Sequence, residues 1–180
     1  ERVLIHAGAG GVGMAAVQLA KNVGAEIFAT AGSEWKRDLL RSLGVQHVMN
    51  SRTLDFADEI KRITKGQGVD VVLNSLSGEF IAKSFSVLAE HGRFLEMGKI
   101  GIWDESHVRS LYPTASYYPF DLAAVAREDP RLIGRIFEDL MDEFRKGNLK
   151  PLPTTVFPLE EAPDAFRYMA QAKHVGKIVL

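Results

Sequence analysis

Cysteine is absent from the 180 residues, which removes disulfides, thiolate nucleophiles and every cysteine-based zinc site at once and is compatible with a reducing compartment. An excess of either charge is also lacking, since 22 Lys and Arg stand against 23 Asp and Glu for a net charge of -1. That balance gives no basic footprint for a nucleic acid or an anionic membrane, and neither partner is expected. No apolar run approaches the roughly 20 residues of a spanning helix, and no signal peptide is visible, so the expected setting is cytoplasmic. The five histidines show no metal-ligand spacing, and no metal is expected. The chain opens on Glu1-Arg2 directly before an apolar run, without an initiator Met, and reads as a piece of something longer.

What the chain does have is 46% apolar residues, enough for one sizeable core, set out in a regular alternation. Val3 to Ala7 reads as a buried strand, Gly8 to Gly13 as a tight loop, and Met14 to Val23 as a helix with an apolar stripe. Strands follow at Ala25 to Ala31, Val45 to Met49, Val69 to Leu73 and Arg93 to Met97. Helices follow at Glu34 to Leu43, Leu54 to Thr64 and Glu79 to Ala89. Strands apolar on both faces that alternate with helices imply a parallel sheet covered on both sides. The expected fold is therefore α/β, a doubly wound parallel sheet of the Rossmann type. After Lys99 the pattern weakens, and Trp103 to Tyr118 reads as a loop and an edge strand. Asp129-Pro130 then opens a helix to about Lys146, with Asp129 as cap and Pro130 at the first helical position. Residues 1–150 are expected to form the nucleotide-binding domain. Residues 151–180, with a short helix from Ala162 to Ala172 and a strand from Lys177 to Leu180, are expected to be a tail returning toward a missing catalytic domain.

The glycine loop Gly8-Ala9-Gly10-Gly11-Val12-Gly13 follows an apolar strand and opens a helix, which is the context that makes a GxGxxG pattern a dinucleotide fingerprint. Gly8 is read as the tight turn, Gly10 as the point of backbone approach to the pyrophosphate, and Gly13 as the close helix-to-strand contact, with Gly11 and Val12 in the helix N-terminus. An NAD site normally places Asp or Glu at the end of the second strand, on the ribose 2′-hydroxyl. Here that stretch is Ala29-Thr30-Ala31-Gly32, and it is followed by Ser33, Lys36 and Arg37, a hydroxyl and two cations suited to a 2′-phosphate. NADPH is the expected cofactor. The plainer alternative is that Lys36 and Arg37 form a solvated helix face.

Several motifs narrow this further: Gly8 to Gly13, Gly32-Ser33 with Lys36-Arg37, Asn50-Ser51-Arg52, Val69 to Leu76 ending in Asn74-Ser75-Leu76, His91-Gly92-Arg93-Phe94-Leu95-Glu96-Met97-Gly98-Lys99, and His174-Val175-Gly176-Lys177. With these the chain resembles, over nearly its whole length, the enoyl reductase domain of type I polyketide synthases and animal fatty acid synthases, in the medium-chain dehydrogenase/reductase superfamily. The resemblance implies hydride transfer from NADPH to the β-carbon of an α,β-unsaturated thioester on an acyl carrier protein, then protonation at the α-carbon. It places Ser51 near the adenosine, Asn74 and Leu76 along the nicotinamide side, and Gly98 near the reacting ring. Lys99 matches the family's proton-delivering lysine and Asp121 its acidic partner. Their plainer alternatives are a solvated loop lysine and a helix cap.

The same resemblance implies a separate, GroES-like substrate domain in the same polypeptide, which this sequence lacks. Activity of the fragment alone is not expected. A homodimer through an edge strand after Lys99 is a candidate contact. Trp103, Tyr112, Tyr117 and Tyr118 line either an acyl pocket or a subunit contact, with plain packing favoured. Two other functions stay open: a quinone or alkenal reductase of the same superfamily, and a non-catalytic dinucleotide-binding regulatory domain.

Overall fold

The computed structural model describes residues 1–180. Six parallel strands, β1 (Arg2–Ile5), β2 (Glu26–Ala31), β3 (His47–Asn50), β4 (Val69–Asn74), β5 (Leu88–Glu96) and β6 (Ser116–Pro119), form one sheet in the order β3-β2-β1-β4-β5-β6. The helices between them are α1 (Gly11–Asn22), α2 (Glu34–Ser42), α3 (Phe56–Ile63), α4 (Glu79–Phe85) and α5 (Glu105–Leu111). After the sheet come α6 (Leu122–Glu128), α7 (Pro130–Arg145), β7 (Thr154–Val156), α8 (Ala162–Ala170) and β8 (Lys177–Val179), with β7 and β8 paired in a separate two-stranded sheet.

The side-chain period of a strand is two, so neighbours along a strand enter opposite layers. Leu4, Phe28, Val72 and Phe94 pack with α3 and α4 in one apolar cluster. Ile5, Ile27 and Ala29 pack with Val17 and Leu40 in the other. The sheet is thus buried on both faces, as a doubly wound fold requires. The strand order reverses between β1 and β4, which are hydrogen-bonded neighbours with Val3 opposite Val71. That gap is the switch point at which such sheets leave a crevice.

Three local expectations are corrected. The fourth helix stops at Phe85, short of Ala89, because the Val69 N–H takes the Val87 carbonyl at 2.8 Å and draws the chain into β5 at Leu88. The β4–β5 register then shifts between Val69 and Val71, with His91 at φ 61 beside Gly92. Residues 105–111, read as loop, form α5, whose N-terminus is capped by the Asp104 carboxylate accepting from the His107 N–H at 2.8 Å. β7 has no counterpart in the expected elements. The aromatic stretch divides in two. Trp103 and Tyr112 stack on Phe85 at 5.4 and 4.7 Å and Tyr117 tilts against it, all as packing, whereas Tyr118 is half exposed.

The tail is clamped to the sheet domain. The Gln18 side-chain amide donates to the Lys150 carbonyl and accepts from its N–H at 3.0 and 2.8 Å, and Asn22 donates to the Asn148 carbonyl at 2.9 Å. At its far end the Gly176 N–H donates to the Ala9 carbonyl at 3.1 Å, which lays the start of β8 against the glycine loop. By contrast α7 buries none of its residues fully, and Ile136 and Phe137 are more than half exposed.

Candidate functional site

The glycine loop turns at Ala7, which holds the left-handed conformation at φ 51. This corrects the reason given for Gly8. Gly8 has no positive φ, and its lack of a side chain is needed because a Cβ there would sit 3.1 Å from the Ala29 Cβ and 3.2 Å from Leu40. Gly13 is excluded from carrying a side chain by the loop itself, since a Cβ would lie 2.6 Å from the Gly8 Cα. Gly10 precedes α1 with extended backbone, and no side chain caps that helix, so the first N–H groups, those of Gly11, Val12 and Gly13, have no intrahelical partner. A ligand anion fits such an end, where unpaired donors and the helix dipole act together. Beneath the loop His6 is buried between the Thr30 and Ser84 hydroxyls at 3.0 and 2.8 Å, and burial pushes its pKa down to about 4.

A cavity of about 430 Å³ opens beside the loop at the end of β2. It brings together Gly10, Ser33, Lys36, Ser51 and Leu76 of the expected residues, and adds Arg52 and His174. No acid lines it. The Lys36 ammonium donates to the Ala172 carbonyl at 2.6 Å, and its pKa is lowered by burial and by the neighbouring Arg52 charge. Neither Lys36 nor Arg52 forms an ion pair, and two buried polar atoms, Ser33 Oγ and His174 Nδ1, have no hydrogen-bond partner. Three cationic residues, Lys36, Arg52 and Lys173, line one hollow together with Ser33 and His174, and such a set suits a phosphate ester. Arg37 is not among them. Its guanidinium is held by the Glu34 carboxylate and by the Ala31 carbonyl at 3.1 Å, outside the cavity lining.

On the other side of the switch point the ends of β4 and β5 are tied together. Asn74 is buried and donates both to the Leu76 carbonyl at 2.8 Å and to the Glu96 carboxylate at 2.6 Å. Gly98 donates its N–H to the same carboxylate at 2.6 Å. Burial raises the Glu96 pKa against the opposing effect of those bonds. Farther out, Lys99 and Asp121 stand 3.4 Å apart, both about half exposed, and Lys99 also donates to the Phe120 carbonyl at 2.8 Å. Asp121 does two things at once. It pairs with Lys99, and it caps α6 by accepting from the Ala123 and Ala124 N–H groups, which are the first causes of its lowered pKa.

Residues 43–180 match the family model described as zinc-binding dehydrogenase. Over 99% of this chain the structure is similar to the CurK enoyl reductase, with a TM-score of 0.95 and 59% identity, covering 54% of that protein. It is also similar to the nucleotide-binding subdomain of the enoylreductase domain of PpsC from Mycobacterium tuberculosis, with a TM-score of 0.76 and 44% identity over 83% of this chain and 85% of that one. The chain belongs to the zinc-binding dehydrogenase family, among the enoyl reductases of polyketide synthases. A further relative, the mycoketide-CoA synthase of Mycobacterium tuberculosis, is 48% identical over 182 residues, which span all of this chain and 4% of that synthase. The family description speaks of zinc, but this chain has no cysteine and no group of three or more His, Asp or Glu side chains able to hold a metal ion, so its residues do not fit one. No helix of the chain is long and apolar enough to cross a membrane.

The positions that sequence reasoning left without a role are Arg52, Glu96 and His174. Arg52 belongs to the Asn50-Ser51-Arg52 stretch, two residues past the end of β3, and its neighbourhood to the end of β2 was the available signal. Glu96 and His174 lie in two of the stretches that carry the family resemblance, His91 to Lys99 and His174 to Lys177, but nothing there pointed to a role for either.

Proposed function

We propose that this chain is the cofactor-binding part of an NADPH-dependent reductase acting on an α,β-unsaturated thioester carried by an acyl carrier protein. The observation that carries the reading is the acid-free cavity in which Lys36, Arg52 and the unpartnered Ser33 Oγ converge. When bound, NADPH supplies the hydride delivered to the β-carbon. Ser33, Lys36 and Arg52 hold its 2′-phosphate, the first turn of α1 with Gly10 to Gly13 holds the pyrophosphate, and Ser51 lies along the adenosine. Asn74, Leu76 and Gly98 shape the nicotinamide half. Lys99 stabilises the negative charge that develops on the thioester oxygen and passes a proton to the α-carbon, with Asp121 orienting its ammonium.

Residues 151–180 continue toward a substrate domain of the same longer polypeptide, and the exposed Ile136 and Phe137 of α7 suit contact with another domain. β6 lies at the sheet edge beside the exposed Tyr118, Phe120 and Leu122, and pairing there with a second copy would be read directly by sedimentation.

The test is a calorimetric titration with NADPH and NADH, followed by reduction assays on the longer polypeptide with a crotonyl thioester and with a quinone. NADPH preference with thioester turnover is the expected result. Preference for NADH, or reduction of quinone alone, overturns the reading.

A further inference from the structure

Glu96 is a charge in the wrong place for a purely structural residue. Its side chain is fully buried, and no cation lies within ion-pairing distance. An ionised carboxylate taken out of water costs several kcal/mol unless hydrogen bonds compensate it. The compensation here comes only from N–H donors. Asn74 Nδ2 serves Oε2, and the Gly98 N–H serves Oε1, each at 2.6 Å. Both oxygens must therefore accept, and a carboxylate does this where an amide, with one oxygen and one NH2, cannot.

The bonds that Glu96 makes lead to the residues expected at the nicotinamide. In a doubly wound sheet of this order, one mononucleotide half lies over β1 to β3 and the other over β4 to β6. Asn74 closes β4, and its amide fixes the turn that follows by donating to the Leu76 carbonyl at 2.8 Å and accepting from the Leu76 N–H at 3.2 Å. Gly98 follows β5, and a Cβ there would lie 2.7 Å from the Glu96 carboxylate, so its lack of a side chain is a requirement of this contact. The main chain of Glu96 acts as well. Its carbonyl accepts from the Phe120 N–H at 2.8 Å, and the Phe120 carbonyl accepts from Lys99.

We propose that Glu96 is a positioning residue for the nicotinamide half of the cleft, its buried carboxylate locking the loop after β4 to the loop after β5 and so setting the ring-facing backbone of Leu76 and Gly98. It touches neither cofactor nor substrate. The inference rests on the reading of the crevice as a dinucleotide site, and it goes beyond that reading by naming what holds one half of the crevice in register.

The experiment compares Glu96→Gln with the wild-type protein in binding NADPH and adenosine 2′,5′-bisphosphate, which lacks the nicotinamide half. Glu96→Gln turns an NH2 toward one of two donors and loosens one loop, so NADPH affinity is expected to fall roughly tenfold because that loop must be ordered on binding. Affinity for the bisphosphate stays unchanged. In the full reductase with an enoyl thioester, NADPH deuterated on one face of the ring is expected to transfer label with mixed face selection in the variant and with a single selection in the wild type. If Glu96→Gln does not fold, Gly98→Ala decides, because it presses on the same carboxylate from the loop side and leaves the core residue in place. Equal losses for both ligands, or unchanged NADPH binding with single-face transfer, would overturn the proposal. Failure of the wild type to bind NADPH would instead sink the dinucleotide reading on which it rests.

Discussion

Replacing Arg52 by Ala removes a guanidinium that no carboxylate in the structure engages, from a cavity that already holds Lys36 and an unpartnered Ser33 hydroxyl. In the empty protein the loss costs little, since Arg52 makes no ion pair to break and its charge works against Lys36, whose pKa it lowers. With a 2′-phosphate present the loss is one charge-assisted contact, worth about 1.5–3 kcal/mol. Arg52 is an exposed residue, which puts the figure at the lower end because water and salt screen the pair. About 1.5 kcal/mol is roughly tenfold in Kd. The assay is calorimetry with NADPH and NADH at about 0.05 and about 0.5 M salt, the second condition shortening the Debye length to a few ångström. NADPH is expected to weaken roughly tenfold at low salt and less at high salt, with NADH unmoved. Gly32→Ala should act in the same direction, because a Cβ there would lie 2.7 Å from the Arg52 Nε and displace the guanidinium. Equal weakening of both cofactors would refute the reasoning, because it would show Arg52 supporting the loop rather than reading the phosphate. So would an unchanged NADPH affinity.

Gly13→Ala forces a Cβ to within 2.6 Å of the Gly8 Cα, and backbone does not yield as a side chain does. A destabilisation of about 2–3 kcal/mol together with loss of cofactor binding is expected in denaturant titration, and a wild-type midpoint would contradict the close approach. His6 titrates at about 4 in the folded protein against 6.5 ordinarily. Its neutral form is what folding favours, so the stability it contributes is complete above pH 6.5 and is lost as pH falls from 6.5 through 4, about 3 kcal/mol in all. A His6→Asn variant should lack this acid slope, and an identical slope would show another group to be responsible. Lys99→Met in the full reductase should lower kcat by about 10²-fold with little change in melting temperature, while Asp121→Asn should lower both, because the same carboxylate caps α6. Unaltered turnover in Lys99→Met would remove that lysine from proton delivery.

Much of this protein is written in short stretches of chain. The alternating apolar strands, the six-residue glycine loop and the acid-free end of β2 each depend on neighbours a few positions away, and period and composition carry that information directly. The layered fold follows, because a strand apolar on both faces has few ways to bury itself. The outcomes that needed the fold depend on distant pairs. Asp121 reads as a helix cap on its own, and only the parallel pairing of β5 and β6 brings Lys99 within 3.4 Å of it. Arg37 is the exception, a residue that reads as a phosphate ligand although its partner Glu34 stands only three residues earlier on the same helix. Arg52 and His174 meet Lys36 from two other parts of the chain, and Glu96, named in sequence only as part of a family motif, gains its partner Asn74 through the β4–β5 pairing. Local propensity determined which elements exist and where the phosphate loop lies. Tertiary packing alone decided which charges were left without partners, because desolvation and long-range contact are properties of the assembled core and have no counterpart in any window of residues.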